Sequence, residues 1–116
     1  MIQQVEIELP YKLSTNRIYA GLHWTVRAKY KDMMRWSLIT SISKLKPITK
    51  GNLIFEFNFK NKPLDCSNCS FMAKMIEDVL VEHNILEDDS PKYIKKITII
   101  SQKAKKDFCI LTLEEE

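Results

Sequence analysis

A stretch of alternating residues in the middle of the chain limits its possible folds more than any other sequence feature. Large apolar side chains occupy every second position of this stretch, namely Leu53, Phe55, Phe57 and Phe59. In a β-strand, residues with this period of two all point to the same face of the sheet. Such a face is buried when a layer of helices covers it. The stretch therefore predicts a strand whose apolar face packs against helices.

Two other segments have the spacing of apolar residues that is typical of amphipathic helices. Thr25 can cap a first helix that runs to about Leu45 and ends before Pro47. A second helix has an apolar face that extends from Cys69 to Leu80. The other side of this second helix is expected to carry four charged residues, Lys74, Glu77, Asp78 and Glu82.

Three further strands complete the predicted fold. Alternation indicates the first over residues 4–9, where Pro10 stops it, and apolar runs indicate two more over 93–101 and 108–113. The polar segment 102–107 is expected to be a hairpin turn that joins the last two strands. The predicted fold class is α/β (α+β), with a four-stranded mixed sheet and two helices packed on it in the order β-α-β-α-β-β.

Size and composition favour one small domain. The chain has 116 residues, which is enough for one two-layer core over residues 1–116 and too few for two. No apolar run approaches the roughly 20 residues of a membrane span. The first residues also lack the basic and apolar regions of a signal peptide. We therefore expect a cytoplasmic protein that does not enter a membrane.

The three cysteines are expected to be reduced thiols, because an odd number without a disulfide-dense pattern suits a reducing compartment. Cys66 and Cys69 form a C-x-x-C motif, for which zinc binding or redox chemistry is the alternative. A zinc site would need further ligands, and Cys109, His23 and His83 are the thiol and imidazole groups that remain.

Acidic residues lie at both ends of the second helix. Asp65 precedes the helix, and the pair Asp88-Asp89 follows it. A helix packed on a sheet would bring these carboxylates together if the chain doubles back after the helix. Clustered carboxylates are either oxygen ligands of a hard divalent cation or parts of a solvated turn and helix cap. The spacing alone leaves both interpretations open.

Basic residues form a stripe on the first helix. Arg27, Lys31 and Arg35 stand at i, i+4 and i+8, without an interleaved acid to relieve their repulsion. A phosphate backbone would relieve it. The net charge of +3, with most of the excess Lys and Arg up to Lys60, also suits a nucleic-acid partner on one face. The alternative interpretation is an ordinary solvated helix face.

Several short motifs follow one another in a defined order. Leu9-Pro10 precedes Ser14-Thr15-Asn16-Arg17-Ile18-Tyr19 and the basic helix, and Lys74, Asp78, Leu80 and Ile85-Leu-Glu-Asp88-Asp89 come later. In this order and spacing, over nearly the whole chain, the sequence resembles the RusA-like Holliday-junction resolvases, which are crossover junction endodeoxyribonucleases. The resemblance implies a homodimeric, Mg²⁺-dependent endonuclease of phage or prophage origin that acts in DNA recombination and repair.

One motif departs from that family. RusA-like proteins carry Asp-x-Asp-Asn at the start of the second helix, where two aspartates bind metal together with an aspartate of the later pair. A gapless register on Lys74 and the Asp88-Asp89 pair puts Asn68 and Ser70 where those two aspartates belong.

A second register begins at the aspartate that precedes the helix. It matches Asp65, Ser67 and Asn68 to the family's Asp, Asp and Asn, but it needs three extra residues before Lys74. In both registers at least one aspartate is missing. Asn and Ser oxygens can bind a hard cation but bring no charge to it, so we expect weaker Mg²⁺ binding.

The resemblance implies phosphodiester hydrolysis at a site built from both ends of the second helix. Mg²⁺, or Mn²⁺, would be held by Asp65, Asn68, Asp88 and Asp89. Asp65, Asp89 and Lys74 would be the catalytic residues, with the Lys74 ammonium neutralising charge on the phosphate or on the leaving oxygen. The DNA backbone would be held by five residues, Asn16, Arg17, Arg27, Lys31 and Arg35.

Two other functions remain as alternatives. The protein could bind branched DNA without cutting it, having lost the full metal site. It could also be a phage or mobile-element protein that interacts with other proteins alone. In that case it would show no salt-dependent DNA binding at all.

Overall fold

A computed structural model of the chain describes residues 1–9, 12, 14 and 24–116, with Trp24 described by its backbone alone. These residues form β1 (Ile2–Glu8), α1 (Trp24–Ile42), β2 (Gly51–Phe59), a 3₁₀-helix (Cys66–Cys69), α2 (Ser70–Glu82), β3 (Ile94–Lys103) and β4 (Phe108–Glu115). The predicted fold class and element order are confirmed: a four-stranded mixed sheet carries two α-helices. Within these ranges, no helix has the length and apolar character needed to cross a membrane.

The sheet has the strand order β1-β4-β2-β3. β2 runs parallel to β3 and antiparallel to β4, and β4 also pairs antiparallel with β1. The helix α2 connects the parallel strands β2 and β3, which cannot be joined by a tight turn. In this register Phe55 lies opposite Ile99 of β3 and Leu111 of β4. The alternating stretch of the sequence therefore occupies an interior strand.

The predicted hairpin between the last two strands is wrong. β3 and β4 lie on opposite sides of β2, and the segment between them crosses the end of that strand. The backbone N–H of Ala104 donates to the Phe59 carbonyl (2.9 Å), and the Asp107 carboxylate accepts from the Lys60 backbone N–H (2.8 Å). A connection of this length can close a hairpin between adjacent strands. It can also cross one intervening strand, a distance of two strand spacings of about 4.8 Å each, so its length does not distinguish the two arrangements.

The apolar face of β2 lies at the centre of the core. Phe55, Phe57 and Phe59 are fully buried, and the ring centroids of consecutive pairs are 6.0 and 6.4 Å apart. Burial of each ring contributes roughly 1.5–3 kcal/mol to stability. Both helices pack fully buried residues into the same core, namely Met34, Leu38 and Ile42 of α1 and Met72, Ile76 and Leu80 of α2.

Two predicted boundaries of α1 differ from the structure. The helix begins at Trp24, so Thr25 lies inside its first turn and is not its cap. It ends at Ile42 rather than near Leu45, because the chain turns there to bury the Leu45 side chain. A hydrogen bond from the Leu45 backbone N–H to the Ile42 carbonyl (2.9 Å) closes this turn.

Candidate functional site

The turn that leads into α2 carries Asp65 and Asn68. The backbone N–H of Asn68 donates to the Asp65 carbonyl (2.9 Å), and the Ser70 hydroxyl donates to the Ser67 carbonyl (2.8 Å). The 3₁₀ turn then continues directly into α2, whose N-cap position is the buried Cys69. These local bonds fix the turn and keep the Asp65 side chain exposed.

Most of the surface of α2 is buried. Its exposed residues are four positions apart, namely Ser70, Lys74, Asp78 and Glu82. Glu77 was predicted on this exposed side, and that prediction is wrong, because its side chain is only 6% exposed. Glu77 shares a helix face with Ala73 and Val81, which are buried and half-buried. The sheet and α1 therefore cover α2 more widely than an ordinary amphipathic helix.

After α2 the chain doubles back along the helix. Asn84 has φ = 61°, a left-handed conformation that asparagine tolerates better than most residues. The Ile85 backbone N–H then donates to the Leu80 carbonyl (2.9 Å), and the Leu86 side chain is almost completely buried. These two anchors hold the following loop, including Asp89, beside the middle of α2.

Lys74 is the residue that joins this loop to α2. Its ammonium forms a charged hydrogen bond with the Asp89 carboxylate and lies 3.2 Å from the Asp78 carboxylate one helical turn away. The side chain of Lys74 is 58% exposed and that of Asp89 is 28% exposed. The structure therefore brings together two of the three predicted catalytic residues, Lys74 and Asp89, at a solvent-accessible position.

The charges of this cluster shift one another's pKa values. The hydrogen bond with Asp89 is the largest cause that raises the pKa of Lys74, and the same bond lowers the pKa of Asp89. Burial raises the pKa of Glu77; the charges of Asp89 and Asp78 add to that rise, whereas Lys74 opposes it. Lys74 thus stabilises the ionised forms of Asp89 and Glu77.

The third predicted catalytic residue, Asp65, has different neighbours. Its charge contributes to a rise in the pKa of the Cys69 thiol, for which burial is the largest cause. In the part of the chain that the structure describes, no group of three His, Cys, Asp or Glu side chains could hold a metal ion. The predicted ligands Asp65, Asn68, Asp88 and Asp89 therefore do not form a ready-made cage.

The donor set fits one kind of Mg²⁺ site. Magnesium is commonly held by one or two carboxylates together with substrate phosphates and water, rather than by a cage of protein ligands. Asp89 is accessible and the neighbouring Asp88 is exposed, so these two residues can supply the one or two carboxylates of such a site. The residues therefore fit an ion that is held jointly with a phosphate and do not fit a fully protein-bound ion.

Two residues of the basic stripe on α1, Lys31 and Arg35, contact α2. The Lys31 ammonium lies 5.8 Å from the centroid of the Phe71 ring. Arg35 forms ion pairs with Glu82 of α2 (2.9 Å) and with Asp32 of its own helix (3.5 Å). The prediction that no acid relieves this stripe is therefore wrong. Asp32 stands three positions before Arg35, which places both on neighbouring turns of one face.

Lys31 and Arg35 also border the candidate site. Together with Met75, Asp78 and Val79 they line a small hollow of about 30 Å³ between the two helices. Asp78 is the residue that pairs with Lys74, so the stripe and the Lys74–Asp89 pair lie on one continuous surface. Arg27 is half-buried on the same helix. The remaining predicted DNA-binding residues, Asn16 and Arg17, lie outside the described residues.

The cysteines are free thiols, as predicted. Cys66 is exposed, whereas Cys69 and Cys109 are buried. Burial raises the pKa of Cys69 to about 11 and also raises that of Cys109. Thiols with raised pKa are poor nucleophiles and poor metal ligands at neutral pH. Because Cys69 is buried, the C-x-x-C motif presents only the Cys66 thiol at the surface, and this gives no support to the zinc or redox alternative.

Two features escaped the sequence reasoning. The first is Glu77, which could have been assigned to a covered face from the apolar residues four positions before and after it. The second is a basic segment over residues 90–113, where six lysines stand against one acidic residue. Residues 1–60 hold ten Lys and Arg against four acidic residues, so the later segment has the higher density of positive charge.

No protein-family model matches the chain, and no curated protein matches it.

Proposed function

We propose that this protein is a RusA-like, structure-selective endonuclease that resolves Holliday junctions or other branched DNA by metal-dependent phosphodiester hydrolysis. The observation that carries the proposal is the contact between Lys74 and Asp89, two residues that the resemblance assigns to catalysis. Its position beside Lys31 and Arg35 supports the proposal, because a phosphate held by the basic residues would lie next to the pair. The proposal includes a homodimer, a branched DNA partner and a cytoplasmic location.

Each residue of the site has a defined role in this proposal. Asp89 and Asp88 would hold Mg²⁺ or Mn²⁺ with a phosphate oxygen, and Asp65 and Asn68 are the further candidate ligands. The bound ion would activate water and neutralise charge on the phosphate. Lys74 would direct its ammonium to the leaving oxygen, where positive charge acts more strongly once DNA excludes water.

The DNA itself would be held by groups that carry no sequence information. Phosphate contacts from basic side chains fix the position of a protein on a duplex but do not read its bases. Arg27 and Lys31 would supply such contacts from α1, and Asn16 and Arg17 would supply others from the preceding segment. Selectivity would then come from the shape of the branched substrate rather than from its sequence.

The direct test is cleavage of a labelled four-way junction in the presence of Mg²⁺ or Mn²⁺. We expect cleavage by the wild type and a loss of about 10²–10³-fold in rate for Asp89→Asn and for Lys74→Met. Glu87→Gln is the matched control, because Glu87 is an exposed acid of the same loop. A wild type that binds the junction but does not cut it over a series of pH values and metals would rule out the endonuclease.

A second candidate function is binding of branched DNA without cleavage. It is favoured by the ion pair between Lys74 and Asp89, which neutralises the carboxylate that a metal would need. Calorimetric titration of Mg²⁺ or Mn²⁺ into the wild type and into Asp89→Asn separates the two candidates. Metal binding that depends on Asp89 supports the endonuclease, whereas no metal binding in the presence of intact junction binding supports the non-cleaving protein.

A further inference from the structure

Five lysines from four separate segments meet at the end of β2, around Phe59. We call this group the lysine pole: Lys12, Lys60, Lys62, Lys103 and Lys105. Lys60 and Lys62 follow β2 directly, and Lys103 is paired with Phe59 in the register between β2 and β3. Lys105 belongs to the connection that crosses the end of β2.

Lys12 joins this group through two contacts. Its ammonium donates a hydrogen bond to the Lys62 carbonyl (2.9 Å) and lies 6.0 Å from the centroid of the Phe59 ring. Lys12 is thereby held against the segment that follows β2. The convergence of these lysines is a result of the strand order, because a simple hairpin between β3 and β4 would not cross the end of β2.

The ammonium groups of the lysine pole are not paired with acids. Among the residues that the structure describes, none of its five ammonium groups forms an ion pair. Asp107 lies in the same region, where one of its carboxylate oxygens accepts from the Lys60 backbone N–H (2.8 Å), and its charge offsets one of the five. The neighbouring Lys106 is paired with Glu6 (3.5 Å) and is therefore not included in the group. Four of the five lysines are exposed, and Lys12 is half-buried, so the charges of the group are accessible from the solvent.

We propose that the lysine pole binds the phosphate backbone of a duplex arm, at a surface separate from the basic stripe on α1. This inference rests on the proposed function, in which the substrate is branched DNA and several arms must be held at once. Phosphate binding needs positive charge and releases counterions from the DNA, and lysines are sufficient for it.

The chemistry of the pole favours DNA over a protein partner. The cores of protein interfaces are apolar and contain few lysines. The exposed large apolar residues of the described chain lie elsewhere, namely Met1, Ile2, Val26, Trp36, Ile97 and Ile100. Single-stranded DNA is bound largely by stacking on exposed aromatic side chains, and none of these six residues supplies one at the pole. The phosphate backbone of duplex DNA can be bound without an apolar patch and without exposed aromatic side chains.

The pole is connected to the start of the candidate site. The Ser101 hydroxyl of β3 donates a hydrogen bond to the Leu64 carbonyl, one residue before Asp65. This bond ties the strand that carries Lys103 to the turn that leads into α2. A duplex arm held at the pole would therefore run towards the Asp65 end of the site, whereas α1 contacts the DNA near Lys74 and Asp78.

A pair of triple variants tests the inference. The first is Lys62→Gln, Lys103→Gln and Lys105→Gln, which removes three charges from the pole. The matched control is Lys44→Gln, Lys46→Gln and Lys50→Gln, which removes three exposed lysines that precede β2. The nine residues of β2 separate the two groups by roughly 30 Å. Both variants have the same net charge, so a difference between them reports position alone.

Binding of a duplex and of a four-way junction is measured by fluorescence anisotropy over a series of salt concentrations. We expect the pole variant to flatten the slope of log K against log salt by roughly two to three units, and the control variant to change it by less than about one. Circular dichroism and the urea midpoint confirm that both variants are folded. Such a result supports the lysine pole as a phosphate-binding surface.

Four outcomes would overturn the inference. Equal flattening in both variants would mean that net charge alone matters, and an unchanged slope in the pole variant would mean that DNA does not touch it. In both cases the wild type still binds DNA, so the proposed function stands. A wild type whose binding shows no salt dependence, or one that binds poly-glutamate and not DNA, rejects the proposed function together with the pole.

Discussion

Lys74 and Asp89 are joined by a charged hydrogen bond although fifteen positions separate them in the chain. The bond exists because the left-handed residue Asn84 reverses the chain and because Ile85 and Leu86 anchor the returning loop in the core. The candidate site therefore depends on residues that take no part in its chemistry. Substitution of Leu86 would displace Asp89 without removing any charged group.

The pairing of Lys74 with Asp89 predicts that removal of Lys74 changes the pKa of Asp89. Lys74→Met is expected to raise the pKa of Asp89 towards its ordinary value, because the ammonium that stabilises the carboxylate is lost. The folded-state pKa of Asp89 is depressed, so the pair contributes stability above the unfolded value of about 3.9 and loses it as pH falls through the folded value. The contribution is within about 1 kcal/mol, because both groups are solvent-accessible.

Carboxyl-detected NMR titration of the wild type and of Lys74→Met provides this measurement. Lys44→Met is the control, since Lys44 is an exposed lysine outside the site. An Asp89 pKa that stays the same after Lys74→Met would show that the two side chains do not pair in solution.

Ionisation of Glu77 is expected to destabilise the fold, whereas ionisation of Asp89 stabilises it. Burial raises its folded-state pKa above the unfolded value of about 4.3, so ionisation of Glu77 destabilises the fold as pH rises through that value. Glu77→Gln removes the charge and is expected to stabilise the protein at pH 7 by roughly 1 kcal/mol. The difference from the wild type is expected to disappear near pH 4. Urea denaturation at both pH values measures it, with the exposed Glu87→Gln as control; destabilisation at pH 7 would contradict the prediction.

The basic stripe predicts a change in the salt dependence of DNA binding. Changing Arg27 and Lys31 together to Ala is expected to flatten the slope of log K against log salt by roughly two units, and by more in a symmetric dimer. Arg35→Ala is expected to have a smaller effect, because its charge is already paired with Glu82 and Asp32. Anisotropy titrations give the slopes. Weaker binding with an unchanged slope would show that the stripe is not the DNA-binding face.

The close approach of β4 to Gly51 predicts that a larger residue at the start of β2 destabilises the protein. A Cβ atom at this position would lie 2.1 Å from the Glu114 carbonyl oxygen of β4, which is closer than real contacts allow. Gly51→Ala is therefore expected to destabilise the protein by about 1–3 kcal/mol, because the interior strands must separate. Asn52→Ala is the control at the next position. Equal urea midpoints for the two variants would show that β4 moves aside without cost.

The sequence predicted the elements better than it predicted their arrangement. The alternation from Leu53 to Phe59 determines a strand locally, because side chains in a strand alternate between the two faces of the sheet. The pairing of β3 with β2, rather than with β4, depends on contacts between distant residues. The segment that follows Lys103 is compatible with both pairings, so its composition could not decide between them.

The candidate site was predicted in part for a similar reason. The resemblance named Lys74 and Asp89 as catalytic residues, but their direct contact in the structure was not predicted. The burial of Glu77 and the pairing of Arg35 with Glu82 were not predicted. Helical periodicity gives the relative directions of side chains on one helix, whereas these two features depend on how closely α1 approaches α2.

The interior position of β4 has a consequence for synthesis on the ribosome. β4 is translated after β1, β2 and β3, yet it lies between β1 and β2 and is the strand with which β1 pairs. Until residues 108–115 have emerged, the nascent chain therefore carries two unpaired strand edges and an incompletely covered row of phenylalanines. Such edges readily pair with other chains, so a chaperone that shields them would raise the yield of folded protein. A stop codon shortly before position 108 would leave β1 without its partner strand.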